Sequence, residues 1–117
     1  MSIQTYKKDV DKFLVEISLT AACYGLVNEV TVISQYLANV PRAKAPAFLA
    51  NALARIVSKN YGDAMVFLEA ILNDPQSAKY HDDAHGFKAL ALKLQGDTAG
   101  FEQQLSLAPA FASAYIK

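Results

Sequence analysis

The chain has 117 residues, 53% of them hydrophobic, and its 11 basic and 11 acidic residues balance. Balanced charge leaves no basic stripe to displace the counterions of DNA or RNA, so we expect no nucleic-acid partner. No stretch is apolar for long enough to span a bilayer, and no signal-peptide pattern is present, so we expect no membrane insertion. The single cysteine, Cys23, favours a reducing cytoplasm and is predicted to be a small buried residue.

Three prolines divide the chain at a constant interval. Pro41, Pro75 and Pro109 lie 34 residues apart, and each follows an apolar run with helical spacing. Proline cannot continue a helix, and it pushes the residue before it out of the α region. A period of about 34 residues with such stops is typical of tetratricopeptide-like helix–turn–helix repeats. The sequence therefore predicts one all-α domain over residues 1–117.

The predicted repeats span about residues 6–41, 42–75 and 76–109, and each contains a central turn. The turns are expected at 24–25, 60–63 and 96–97, because glycine supplies a positive φ and Asp or Asn caps the next helix. The predicted helices cover about residues 6–24, 27–39, 44–59, 62–73, 78–95 and 98–107. We expect three hairpins in a short right-handed solenoid, with residues 110–117 as a C-terminal cap.

The first helix of the second repeat is apolar on almost every side. Within residues 47–57 only Asn51 and Arg55 are polar. We interpret one apolar stripe, containing Leu49, Leu53 and Ile56, as the contact with the second helix of the same hairpin. The remaining stripe is then free for a partner, unless both stripes are solenoid core. The predicted partner-binding groove consists of Ala47, Ala50, Ala54 and Val57, together with Phe87, Leu90 and Leu94 from the next hairpin.

Two histidines raise the question of a metal site. His81 and His85 are separated by one helical turn in HDDAH, a spacing that can bind zinc. No third ligand motif follows, and Asp82 and Asp83 suit the positive end of a helix dipole. We therefore expect no enzyme, cofactor or metal, with a small zinc-dependent hydrolase as the remote alternative.

The best match to the tetratricopeptide consensus lies in KNYGDAMVFLEAILNDP. Its consensus positions are occupied by Tyr61, Ala64, Leu68, Ile71 and Pro75. With its length, its three degenerate hairpins and an Ala- and Leu-rich middle repeat, the chain resembles the tetratricopeptide-like chaperones of the needle subunit of bacterial type III secretion systems.

The resemblance implies a cytoplasmic bacterial chaperone that binds the amphipathic C-terminal helix of the needle subunit in a concave apolar groove. Covering that helix would prevent premature polymerisation of a self-complementary subunit. The resemblance also implies a second small helical co-chaperone, and hence a heterodimer or heterotrimer. A general tetratricopeptide protein–protein adaptor is the alternative.

Overall fold

The computed structural model describes the backbone of residues 3–109 and the side chains of residues 8–109, and all regular structure in these ranges is helical. Three hairpins follow one another, formed by α1 (Ile3–Cys23) and α2 (Val27–Leu37), α3 (Lys44–Val57) and α4 (Tyr61–Leu72), and α5 (His81–Leu94) and α6 (Thr98–Ser106). Short 3-10 helices at Pro41–Ala43 and Pro75–Tyr80 connect them. The predicted all-α class is confirmed, and the predicted cap at 110–117 lies outside the described residues.

The first helix of every hairpin ends in the same way. Two residues beyond the helix, the backbone has a positive φ: 71° at Gly25, 67° at Lys59 and 85° at Gly96. The next amide donates to the carbonyl oxygen five residues back, which is the Schellman motif. These bonds join Leu26 to Ala21 (3.1 Å), Asn60 to Arg55 (2.7 Å) and Asp97 to Leu92 (2.9 Å). The three hairpins therefore share one backbone stop signal.

In the second hairpin, the positive-φ residue is not the predicted glycine. Gly62 lies in the first turn of α4, and Lys59 takes the left-handed conformation instead. A side chain with a Cβ is strained in that conformation, and glycine is not. We therefore expect Lys59→Gly to raise the free energy of unfolding by about 0.5–1 kcal/mol in urea denaturation. A decrease in stability would contradict the Schellman geometry at this turn.

The two prolines at hairpin junctions begin helices rather than merely ending them. Pro41 and Pro75 each occupy the first turn of a 3-10 helix, where a missing amide hydrogen costs nothing. Asp74 caps the second of these helices. Its carboxylate accepts hydrogen bonds from the Ser77 hydroxyl (2.9 Å) and the Gln76 amide (3.0 Å), and both bonds lower the pKa of Asp74.

Helix α3 is the central element, because it contacts α1 and α2 on one side and α4 and α5 on the other. The face toward α4 and α5 carries Leu49 and Ile56, which belong to a buried cluster with Leu68 and Ile71. The opposite face belongs to two smaller clusters with the preceding part of the chain. The buried residues of the first are Ala21, Ala22, Val30, Ala50 and Ala54. Those of the second are Leu37, Ala43 and Ala47. A helix with neighbours on both sides needs two apolar faces.

The polar stripe of α3, formed by Asn51 and Arg55, contacts the second helices of the first two hairpins, α2 and α4. Asn51 is buried, and its amide nitrogen donates to the Ser34 hydroxyl on α2 (2.5 Å) and to the Ala47 carbonyl (2.8 Å). Arg55 donates to the Asn51 side-chain oxygen (2.9 Å) and lies 4.7 Å from the centre of the Phe67 ring on α4. These bonds satisfy the buried amide and place the polar stripe of α3 on the α2 and α4 side.

Candidate functional site

The three alanines of the predicted groove are core residues. Ala50 and Ala54 are fully buried among residues of α1 and α2, and Ala47 is buried beside Leu37. The prediction that their stripe is free for a partner is wrong, because the first hairpin already covers it. The extra apolar face of α3 serves a second neighbouring hairpin.

The other residues of the predicted groove lie elsewhere. Val57 and Leu94 are 44% and 55% exposed, and Phe87 and Leu90 are half-buried at the edge of the main core. Phe87, Leu90 and Leu94 have the i, i+3, i+7 spacing of one helix face. Their contact with a partner stays a prediction.

Helical spacing identifies one face to which α1, α3 and α5 all contribute. On each helix this face is a stripe of exposed or partly exposed residues that borders the buried side. Its residues recur at intervals of three, four or seven, which places them on one side of the helix. We call it the three-helix face, and its residues are Lys12, Val15, Leu19 and Cys23 on α1, Pro46, Leu53 and Val57 on α3, and Asp83, Phe87, Leu90 and Leu94 on α5. None of these side chains is fully buried. Lys12, Cys23, Val57 and Leu94 are exposed and the others are partly exposed, so the face as described is accessible to another molecule.

Cys23 differs from its prediction. It is exposed rather than buried, because it is the last residue of α1 and lies on the three-helix face. The ends of α1 and α3 lie together: the Ser58 hydroxyl is 3.4 Å from the Gly25 carbonyl oxygen. The three-helix face thus carries the only cysteine of the chain near one end.

The opposite end of the three-helix face opens into a basic cavity. A cavity of about 190 Å³ lies between α1, the start of α3 and Tyr80, and its lining includes Lys8, Lys12, Val15 and Pro46. Arg42 also lines it and forms an ion pair with the buried Asp11 at 2.5 Å. A second cavity of about 640 Å³ adjoins the first and shares Arg42 and Tyr80 with it. The cations that line it are Arg42, Lys44 and Lys79.

Asp83 places a half-buried carboxylate on the α5 part of the three-helix face. Burial raises its pKa, and the negative charge of Asp82 raises it further. A carboxyl group with a raised folded-state pKa favours the folded protein at low pH. That contribution is complete below the pKa that Asp83 has in the unfolded chain, and it is lost as the pH rises through the higher pKa of the folded protein.

We therefore expect Asp83→Asn to gain melting temperature relative to the parent as the pH rises toward 7. The gain should shrink as the pH is lowered and the parent Asp83 becomes protonated. Thermal melts of both proteins across this pH range measure the effect. A gain that does not depend on pH would show that the carboxylate is not responsible.

A second exposed apolar surface lies on the outside of the first hairpin. Phe13, Ile17 and Tyr24 follow one stripe of α1 and are 59%, 39% and 76% exposed. With Leu26 they border a shallow cavity of about 450 Å³. This stripe lies on a different side of α1 from the three-helix face, so the first hairpin presents two separate surfaces.

The two histidines of HDDAH have different partners. His81 Nε2 lies 3.1 Å from the Asp74 carbonyl oxygen, and His85 Nδ1 lies 3.0 Å from the Gln104 side-chain oxygen. Among the described residues, no group of three His, Cys, Asp or Glu side chains is arranged to hold a metal ion. Their bonds to the preceding turn and to α6 give both histidines structural contacts.

Sequence reasoning missed the basic cavity and, except for Val57, the α3 part of the face. Pro46, Leu53 and Val57 lie in the narrow gap between the two buried stripes of α3, and their spacing of seven and four residues was available in the sequence. The cavity joins residues of α1, the first junction and the second junction, which are far apart in sequence. No local pattern brings Lys12, Arg42 and Tyr80 together.

The described helices include none that is long and apolar enough to cross a membrane. Comparison of the chain with family models, with curated proteins and with solved structures finds no match.

Proposed function

We propose that the chain is a bacterial cytoplasmic chaperone of the type III secretion needle subunit. It binds the amphipathic C-terminal helix of that subunit along the three-helix face. In this proposal the three hairpins form a short right-handed tetratricopeptide-like solenoid, and the three-helix face is its concave side. The observation that carries the proposal is an open, largely apolar face built from the first helices of three successive hairpins.

The packing order supports a solenoid. The first helices contact one another in sequence, α1 with α3 and α3 with α5, while each second helix packs beside its own first helix. The identical helix stops at Gly25, Lys59 and Gly96 support repetition of one structural unit. In such an array the first helices line one side together, which gives a surface long enough for a helix.

The chemistry of the face suits an amphipathic helix. Val57, Leu90 and Leu94 offer partly or well exposed aliphatic side chains that can contact the apolar stripe of a docked helix. Burying these partly exposed groups against an apolar partner is favourable at about 25 cal/mol per Å² of apolar area. The amphipathic helix of the needle subunit would self-associate through its own apolar stripe if that stripe stayed exposed. Covering the stripe therefore keeps the subunit monomeric.

The outer surface of the first hairpin supports a second partner. Phe13 and Tyr24 expose aromatic rings on a side of α1 that a helix on the three-helix face does not cover. We propose that the small helical co-chaperone docks there, which would give a heterotrimer. A general tetratricopeptide adaptor would use the same three-helix face without the second surface. Phe13→Glu separates these alternatives if it releases the co-chaperone and leaves the needle subunit bound.

The test of the proposal uses Leu94→Glu in co-expression with the needle subunit. Leu94 is 55% exposed, so the variant should keep the helicity and melting temperature of the parent. A carboxylate there would have to be desolvated on binding, so the variant should lose the needle subunit in affinity purification. The matched control is Val66→Glu, since Val66 is 67% exposed on α4 outside the three-helix face. If the two variants retain the subunit equally, the face is not its binding site.

A further inference from the structure

We propose that the basic cavity at the end of the three-helix face binds acidic side chains in the last turn of the docked helix. This inference rests on the proposed function and adds the charge and orientation of the partner. The helix would lie with its carboxyl end beside Lys8, Lys12 and Arg42 and its amino end toward Cys23.

The cavities concentrate positive charge in a chain with no net charge. Among the residues that the structure describes, five basic side chains line the two adjoining cavities. These are Lys8, Lys12, Arg42, Lys44 and Lys79. The acidic residues that line them are Asp11 and Asp74. Cations that gather in one concave region attract an anionic partner and disfavour a cationic one.

Both acids of the lining are already committed to structural bonds. Asp11 is buried and paired with Arg42, and Asp74 accepts hydrogen bonds from Gln76 and Ser77. Arg42 keeps half of its side chain exposed, so it can still donate to a further carboxylate. The excess positive charge of the cavity is therefore not cancelled within its own lining.

The size of the smaller cavity limits what can enter. A helix is about 10 Å across, whereas a cavity of about 190 Å³ accommodates a side chain. Its apolar lining, Val15, Ala43 and Pro46, continues the three-helix face, so a docked helix would reach it with one end. The carboxyl end of a helix carries a partial negative charge, and this end is therefore favoured beside the cations.

The experiment measures binding of matched synthetic helical peptides by fluorescence anisotropy. Each is acetylated and amidated, carries leucine and alanine on one face, and ends its last turn in Glu-Glu, Gln-Gln or Lys-Lys. We expect the Glu-Glu peptide to bind roughly tenfold more tightly than the Gln-Gln peptide, which corresponds to about 1.4 kcal/mol. The Lys-Lys peptide should bind most weakly, and the differences should shrink at high salt.

Two protein variants locate the effect. Lys12→Glu should remove the preference for Glu-Glu, since it replaces a cation of the cavity. Lys59→Glu makes the same charge change at the far end of α3, outside both cavities, and should leave the preference intact. Equal loss of the preference in both variants would mean that overall charge, not the cavity, selects the peptide, and would overturn the inference.

The remaining outcomes separate the inference from the function on which it rests. Equal binding of Glu-Glu and Gln-Gln peptides would overturn the inference and leave the three-helix face as a helix-binding site. A Gln-Gln peptide with a free carboxyl terminus tests whether the cavity binds the terminal carboxylate of the main chain rather than side-chain carboxylates. If it alone binds tightly, the assignment to side chains is wrong. Failure of every peptide to bind would overturn this inference, while the proposed function is tested separately by retention of the needle subunit on Leu94→Glu.

Discussion

Ala54→Glu is expected to unfold the protein. Ala54 has no exposed surface and lies in the cluster that α3 forms with Ala21, Ala22 and Val30. A glutamate there adds bulk to a closely packed interface and places an unpaired charge among aliphatic groups. The cost should be at least about 4 kcal/mol, which is comparable with the whole stability of a small domain. Circular dichroism and urea denaturation measure the loss.

The matched control is Val57→Glu, one turn further along the same helix. Val57 is 44% exposed on the three-helix face, so its charge stays in water and the free energy of unfolding should remain within about 1 kcal/mol of the parent. The pair therefore separates the buried side of α3 from its open side. If Ala54→Glu folds normally and instead loses a helical partner, Ala54 lines the groove and α1 does not pack on this side of α3.

Leu68→Ala is expected to cost about 2–5 kcal/mol of stability. Leu68 is fully buried on α4 in the main cluster with Leu49, Ile56 and Ile71, where truncation leaves a cavity that its neighbours fill only in part. Ile71→Ala, at a site 1% exposed, should fall in the same range. Equilibrium unfolding in urea gives both values.

Val66→Ala provides the comparison within α4. Val66 is 67% exposed, so removing its methyl groups should change the free energy of unfolding by less than about 0.5 kcal/mol. Similar losses at positions 66 and 68 would show that α4 faces its neighbours with a different side. The helical register taken from the sequence would then be wrong as well.

Much of the fold could be predicted from the sequence because its stop signals are local. Pro41 and Pro75 fix the junctions, and Gly25 and Gly96 fix two of the turns. The second turn departs from the pattern because Lys59 adopts the left-handed conformation without being a glycine. A lysine in the left-handed conformation cannot be distinguished in the sequence from a lysine in an ordinary conformation.

The candidate site was predicted less well, because helix faces are assigned by their neighbours. Val57 and Leu94 were placed on an open surface, and both are exposed. Ala50 and Ala54 were placed there too, since a free stripe was preferred to the alternative that both stripes of α3 are solenoid core. The first hairpin is the second partner, and small residues allow its close approach to α3. A periodic pattern reveals that a face is apolar, but not whether the chain itself covers it.

The exposure of Cys23 allows the most direct test of the account. It is the only cysteine, it is exposed, and it lies on the three-helix face. Alkylation of its thiol by a maleimide can be timed in the free chain and in the complex with the needle subunit. A Cys23→Ser/Val66→Cys variant, with its thiol on α4, controls for changes that are not specific to the face.

We expect the needle subunit to slow the alkylation of Cys23 at least about tenfold, since binding removes the thiol from solvent in all but the dissociated fraction. The thiol at position 66 should react at the same rate in the free chain and in the complex. A complex in which Cys23 reacts as fast as in the free protein would contradict the central claim that the helix binds along the three-helix face.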